Sequence, residues 1–247
     1  CLGELPSTER PGDIYSLDMA LEQRNIIKKL SKTGIPIVLV LVEGRPKIIN
    51  DIEPLTSAVL QAYLPGDQGG RAVSDILFGE INPSGKLPYT YPRHSGVIMH
   101  YDHKQSELIN GNTWQNTFFD PQWEFGHGLS YTSFKYSDLK LSKKNMSSDN
   151  KDSIVISFII ENTGEKAGKE ATLLYLKDHY ASITPQLKKL IRFDKVSLQP
   201  GQKETLKFVI KNKDLEFYGL ENKWASEDGA FSIIIEDLQQ SFNLKTL

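Results

Sequence analysis

Residues 37–42 read Ile-Val-Leu-Val-Leu-Val, apolar at every position and rich in β-branched side chains. A strand with one face in water alternates polar and apolar residues. A strand that is apolar throughout is covered on both faces, which points to a parallel sheet between helix layers. The flanks agree. Residues 18–32 (DMALEQRNIIKKLSK) place Leu21, Ile27 and Leu30 at helical spacing, with Leu17 one turn before Leu21, and Gly34 stops the helix. Downstream, residues 58–63 (AVLQAY) read as the next strand. Residues 66–79 (GDQGGRAVSDILFG) read as a helix entry followed by Ala72, Val73, Ile76 and Leu77. Helix, strand, strand and helix in this order imply an α/β layer fold.

From about residue 134 the period changes to two. Ser153–Glu161, Glu170–Leu176, Lys188–Val196, Lys203–Ile210 and Ala230–Glu236 read as short strands. Asn162-Thr163-Gly164-Glu165, Pro200-Gly201 and Glu227-Asp228-Gly229 punctuate them. Strands at this spacing predict an all-β sandwich, with Ser142–Ser153 as a loop. Residues 93–132 have no clear period and read as a connector that packs on both halves.

The 247 residues carry a net charge of −2, which gives no electrostatic case for nucleic acid or an anionic membrane. Six residues is the longest apolar run, well short of the roughly 20 a spanning helix needs. Cys1 is the one cysteine, so an internal disulfide framework and a cysteine-rich metal site are excluded. Cys-Leu-Gly-Glu at the start reads as the end of a buried strand running into a loop. The expectation is therefore a piece of a longer polypeptide.

Candidate chemistry centres on Gly3–Asp13, which holds three carboxylates, Arg10, two prolines and two glycines between a strand end and a helix. Ligands of open α/β sheets collect at the carboxyl ends of strands, and a glutamate held there suits general acid/base work. From residue types alone, a solvated loop with a helix-capping aspartate is the preferred alternative. Gly66-Asp67-Gln68-Gly69-Gly70 matches no nucleotide-binding spacing and reads as close packing of the helix on the sheet. His94, His100 and His103 match no standard zinc pattern and read as loop histidines. No G-x-S-x-G elbow is present. Asn145-Met146-Ser147 is a glycosylation sequon on an expected loop. Trp114, Phe118, Phe119, Trp123 and Phe125 suit sugar stacking, but stapling of the connector is preferred for most of them.

These segments resemble the C-terminal portion of glycoside hydrolase family 3, the β-glucosidase family. The resemblance rests on Leu2-Gly3-Glu4 with Ser7–Asp13, Thr33–Pro46 (TGIPIVLVLVEGRP), Ala62–Gly70 (AYLPGDQGG), Asp75–Pro92 (DILFGEINPSGKLPYTYP), Phe125–Phe134 (FGHGLSYTSF) and Asn162–Glu170 (NTGEKAGKE). It implies a truncated α/β sandwich domain over 1–105, a connector over 106–132 and a fibronectin type III-like domain over 133–247. It also implies a retaining, exo-acting mechanism. An aspartate on an N-terminal barrel would be the nucleophile, and a glutamate from the sandwich domain the acid/base. Glu9 occupies the matching position, with Glu4 as runner-up, and Asp13 would cap the helix or order the loop. The nucleophile is expected outside this chain, so the chain alone is expected to be inactive. No cofactor or metal is implied. The implied partners are a β-linked glycoside, the barrel domain and a homo-oligomeric copy, and the implied location is periplasmic or secreted. A competing reading is a non-catalytic saccharide-binding or subunit-interaction module.

Overall fold

The computed structural model describes residues 1–5, 12–96, 100–104, 120–149 and 151–245. Two compact units emerge. The first comprises Cys1–Ile81, Tyr89–Met99 and Thr117–Phe125, and the second Asn82–Pro88, His100–Asn116 and Gly126–Leu247.

The first unit is built on a parallel sheet in the order β1 (Leu2–Gly3), β2 (Val38–Val42), β3 (Ala58–Gln61). The run that decided the fold is its central strand: Leu39, Val40 and Leu41 are buried. The helix α1 (Leu21–Leu30) ends through a short 3₁₀ turn at Gly34, whose φ of 74° is the left-handed value that a glycine adopts without a Cβ penalty. Gln23 on α1 ties the helix to β1: its side-chain oxygen accepts from Gly3 N at 3.0 Å and its Nε2 donates to Gly3 O at 2.9 Å. Only Ile27 of α1 is buried, while Leu21 and Leu30 are exposed. The predicted apolar stripe is thus real as a pattern, but a sheet of three strands covers only part of it.

A second helix, α2 (Gly69–Leu77), follows β3. The glycine-rich entry does pack closely, though not on the sheet as expected. A Cβ at Gly69 would lie 2.6 Å from the ring of Pro65. Truncating the centre of the sheet should be costly. Leu41→Ala, at a fully buried position, is expected to destabilise this unit by about 2–5 kcal/mol. Chemical denaturation checks this, and a loss below about 1 kcal/mol at both Leu39 and Leu41 contradicts the central placement of β2.

The second unit is the expected two-sheet β-sandwich. One sheet runs in the order β4 (Phe134–Leu141), β6 (Ser153–Asn162), β9 (Lys203–Lys211). The other runs β5 (Asn145–Ser147), β13 (Leu238–Lys245), β12 (Gly229–Ile235), β7 (Gly168–Asp178), β8 (Lys189–Leu198). A small hairpin, β10 (Phe217–Tyr218) with β11 (Trp224–Ala225), follows the short helix α3 (Asn212–Leu215). The period of two carries the core. On β6, Ile154, Ile156, Phe158, Ile160 and Asn162 are buried, and the intervening residues are not. Asn162 is buried because its amide is fully used. It donates to Lys166 O (2.8 Å) and Leu198 O (3.0 Å), and its Oδ1 accepts from Thr132 Oγ1 (2.6 Å) and Gly164 N (3.1 Å). This shapes the turn that begins the Asn162–Glu170 motif.

Two other motifs pair with each other inside this unit. Leu87 N donates to His127 O, and Gly126 N to Leu87 O, at 2.8 and 2.9 Å. A Cβ at Gly128 would lie 2.4 Å from Gly85 O, so no larger residue fits there without a shift. The stretch Ser142–Ser153, expected as a loop, contains β5. The sequon asparagine Asn145 therefore sits on an edge strand paired parallel to β13. Met146, which anchors β5, is 1% exposed. A three-residue strand is too short to show a period, which is why it escapes sequence reading.

Candidate active site

The carboxyl ends of the three parallel strands bring together residues far apart in sequence. Glu4 follows β1, Glu43 to Lys47 follow β2, Gln61 ends β3 and Tyr63 follows it. Tyr89 and Tyr91 join them from the Leu87–Pro92 segment. The rings form a chain: Tyr63 to Tyr89 at 6.3 Å, Tyr89 to Tyr91 at 6.1 Å, and Tyr91 edge-on to Trp123 at 5.1 Å.

The two glutamates behave oppositely. Glu4 accepts from Arg45 N (2.9 Å), Arg45 Nε (3.2 and 3.1 Å to its two oxygens) and Arg45 Nη2 (2.7 Å), with Lys47 Nζ at 3.3 Å. Partial burial pushes its carboxyl up, but the hydrogen bonds and charges of Arg45 and Lys47 outweigh this and hold it at about 2. Glu4 is thus a fixed anion. Arg45 also donates through Nη1 to Gly12 O. One guanidinium therefore grips both Glu4 and Gly12, which flank the segment that bears Glu9 in sequence, in the forked geometry that arginine alone provides.

Glu43 is fully buried. Burial pushes its carboxyl up, against hydrogen bonds from Lys47 N, Tyr91 and Gln61, and the charge of Glu4 adds to the rise. A proton count agrees. Tyr91 has one hydroxyl proton and two oxygens in reach, Lys47 O at 2.7 Å and Glu43 Oε1 at 2.9 Å. When Tyr91 donates to Lys47 O, the contact with Glu43 is complete only if Glu43 brings its own proton. Glu43 Oε2 and Gln61 Oε1 have no hydrogen-bond partner, an arrangement better tolerated by a neutral acid than by a buried carboxylate.

The pH dependence follows from these directions. The folded-state pKa of Glu43 is raised, so its contribution to stability is complete below about 4.5 and is lost as pH rises through the folded value. The pKa of Glu4 is lowered, so its contribution is complete above about 4.5 and is lost as pH falls towards about 2. Glu43→Gln should flatten the alkaline-side decline, and Glu4→Gln the acid-side one. Thermal melts between about pH 3 and pH 8 check both, and unchanged pH profiles would contradict the assignment.

The sequence-predicted residues divide as follows. Glu9 lies outside the described residues, as do Trp114, Phe118 and Phe119. Asp13 is exposed and does not cap α1, whose N-cap position is Ala20; its charge acts instead on Arg45. Among the described residues the next α-helix starts at Leu21, eight residues further along the chain. His94 and His100 are exposed, and His103 Nδ1 lies 3.2 Å from Lys104 O. Trp123 packs within the first unit, where its carbonyl accepts from Tyr91 N at 2.8 Å. Arg45, Glu43 and Tyr91 were not singled out by sequence reading. The available signal was the polar Glu-Gly-Arg-Pro that directly follows the buried run.

Residues 1–131 match the glycosyl hydrolase family 3 C-terminal domain, and residues 170–239 match a fibronectin type III-like domain. Among similar proteins, a lysosomal beta glucosidase of Dictyostelium discoideum is 40% identical over 99% of this chain and 30% of its own length. A periplasmic beta-glucosidase of Salmonella typhimurium is 37% identical over 86% of this chain and 29% of its own. A crystal structure of a beta-glucosidase from Listeria innocua in complex with gluconolactone superposes with a TM-score of 0.87 at 28% identity, covering 96% of this chain and 34% of that one. The chain spans about three tenths of the length of the curated relatives it matches.

Proposed function

The chain belongs to glycoside hydrolase family 3, and on that premise we propose that it supplies the general acid/base to a retaining, exo-acting hydrolase of terminal β-linked sugars, with Glu9 in that role. The observation that carries this reading is the grip of Arg45 on Glu4 and Gly12. It anchors the base of the segment bearing Glu9 at the carboxyl ends of the strands, where ligands of α/β sheets collect.

Glu4, the runner-up, suits a different task. An acid/base must hold a proton near neutral pH and release it in turn. A carboxyl held at about 2 by two cations stays ionised throughout. Glu4 is the anchor of the loop and Glu9 the proton carrier.

In the reaction, Glu9 protonates the leaving oxygen of a β-glycoside. The nucleophile, an aspartate on a barrel domain that resembling enzymes carry, attacks the anomeric carbon. Glu9 then takes a proton from the water that releases the sugar. This chain alone, without that nucleophile, is inactive. Its partners are the β-linked glycoside and the barrel, and the enzyme works in the periplasm or outside the cell. The periplasmic relative favours that location, and among the described residues no helix is long and apolar enough to cross a membrane. Substituting Glu9 in the complete enzyme and comparing leaving groups tests the reading, with the expected outcome set out in the Discussion.

A further inference from the structure

At one end of the β-sandwich, a cleft of about 340 Å³ opens between the end of β7, the loop to β8, α3 and the β10–β11 hairpin. We propose that this cleft is a second saccharide site, in which the Trp224–Tyr218 ring pair receives a sugar ring while Asp178 and Lys189 hold its hydroxyls.

The aromatic pair comes first. Tyr218 and Trp224 are cross-strand partners on the hairpin, with ring centroids 5.8 Å apart and planes at 75°. That contact staples the hairpin, yet the residues remain 53% and 65% exposed. Two strands of two residues each do not need this much ring surface left in water. Aromatic faces beside polar groups suit the C–H faces of a sugar ring.

The polar wall supplies the complement. Asp178 is half-buried. Its Oδ1 accepts from Tyr180 N at 3.1 Å, and it forms no ion pair among the described residues. Burial pushes its carboxyl up and the charge of Glu227 adds to the rise. Such a group gains from a hydroxyl donor. Lys189, in the same lining, offers donors. Asp214, also in the lining, is committed to Arg192 at 2.8 Å.

Donors, acceptors and ring faces together select a neutral polyol. A phosphate or other anion would meet the carboxylates of Asp178, Asp214 and Glu216, and a purely apolar ligand would bury the Asp178 carboxyl with the Tyr180 N–H as its one described hydrogen-bond donor. The volume is at the low end of the roughly 300–1,000 Å³ found for small-molecule sites, room for a mono- or disaccharide unit. The site itself stands on this unit's own side chains. Only the choice of β-linked probes rests on the hydrolase reading.

The test is titration of the 247-residue chain with laminaritriose, cellotriose and xylotriose, read by calorimetry and by the indole NMR resonance of Trp224. Saturable binding of at least one trisaccharide, with movement of that resonance, is expected. Trp224→Ala should weaken binding about tenfold or more, and Asp178→Asn should weaken it measurably. Circular dichroism melts confirm that each variant is folded. Glu9→Gln should bind like the parent chain, so a failed catalytic assignment and a failed cleft give different results. Binding of none of the three probes overturns the proposal. So does binding that survives Trp224→Ala in a folded chain, or binding lost in Glu9→Gln, which would place the saccharide elsewhere.

Discussion

Glu9→Gln, made in the complete enzyme, is expected to lower kcat/KM on an alkyl or disaccharide β-glycoside by about 10²–10⁴-fold, the usual contribution of a positioned proton donor. Glutamine preserves the shape and much of the hydrogen bonding of the side chain but has no proton to give. A leaving alkoxide with a high pKa needs that proton. A nitrophenolate does not, so the first step on a nitrophenyl glycoside should suffer far less. The second step still needs a base to activate water, and a burst of nitrophenol followed by slow turnover should appear. Parallel rate constants on the two substrate classes decide the matter. Equal losses on both would mean that Glu9 holds the loop rather than carrying the proton, and the acid/base would have to be sought elsewhere.

Arg45→Met should produce the second large effect. Methionine keeps much of the aliphatic length but removes every side-chain donor of residue 45 to Glu4 and Gly12. The backbone N–H at position 45 remains, so the contact to Glu4 is reduced rather than abolished. Loss of the clamp frees the base of the loop, and a misplacement of about 1 Å in an acid/base can cost roughly 10²-fold in rate. The fall should be in kcat more than in KM, because Arg45 acts through the loop and is a positioning residue. Removal of the guanidinium should also let the Glu4 carboxyl rise from about 2 towards its ordinary range, which NMR titration of the variant can follow. Arg45→Lys should recover little, since a single ammonium cannot span Glu4 and Gly12 together. A variant with unchanged kcat and a raised Glu4 pKa would show that the loop does not depend on this clamp.

Two sequence features carried the broad outline. The uninterrupted apolar run of residues 37–42 predicts a strand covered on both faces, and alternation in residues 153–161 predicts one face of a sandwich. Both are local consequences of strand geometry, and both elements stand where they were expected. The family motifs pointed to the relatives and led to Glu9 and Glu4 as candidates, of which Glu4 lies among the described residues. Elements without a period were missed. The strand β13 alternates weakly, since Gln239, Gln240 and Ser241 occupy successive positions, and β5 is too short to alternate at all.

The states of the carboxyl groups were beyond sequence reading. Glu4 and Glu43 are the same residue type at the ends of adjacent parallel strands, yet one is a fixed anion and the other is pushed towards the neutral acid. The difference comes from what the fold places around each: Arg45 and Lys47 around Glu4, Tyr91 and Gln61 around Glu43. Composition and periodicity determine which surfaces leave water, because that is a property of each segment. The charge of a side chain depends on neighbours, Arg45 for Glu4 and Tyr91 for Glu43 among them, that are 40 or more residues away in sequence and a few ångströms away in space, and only the tertiary structure brings them together.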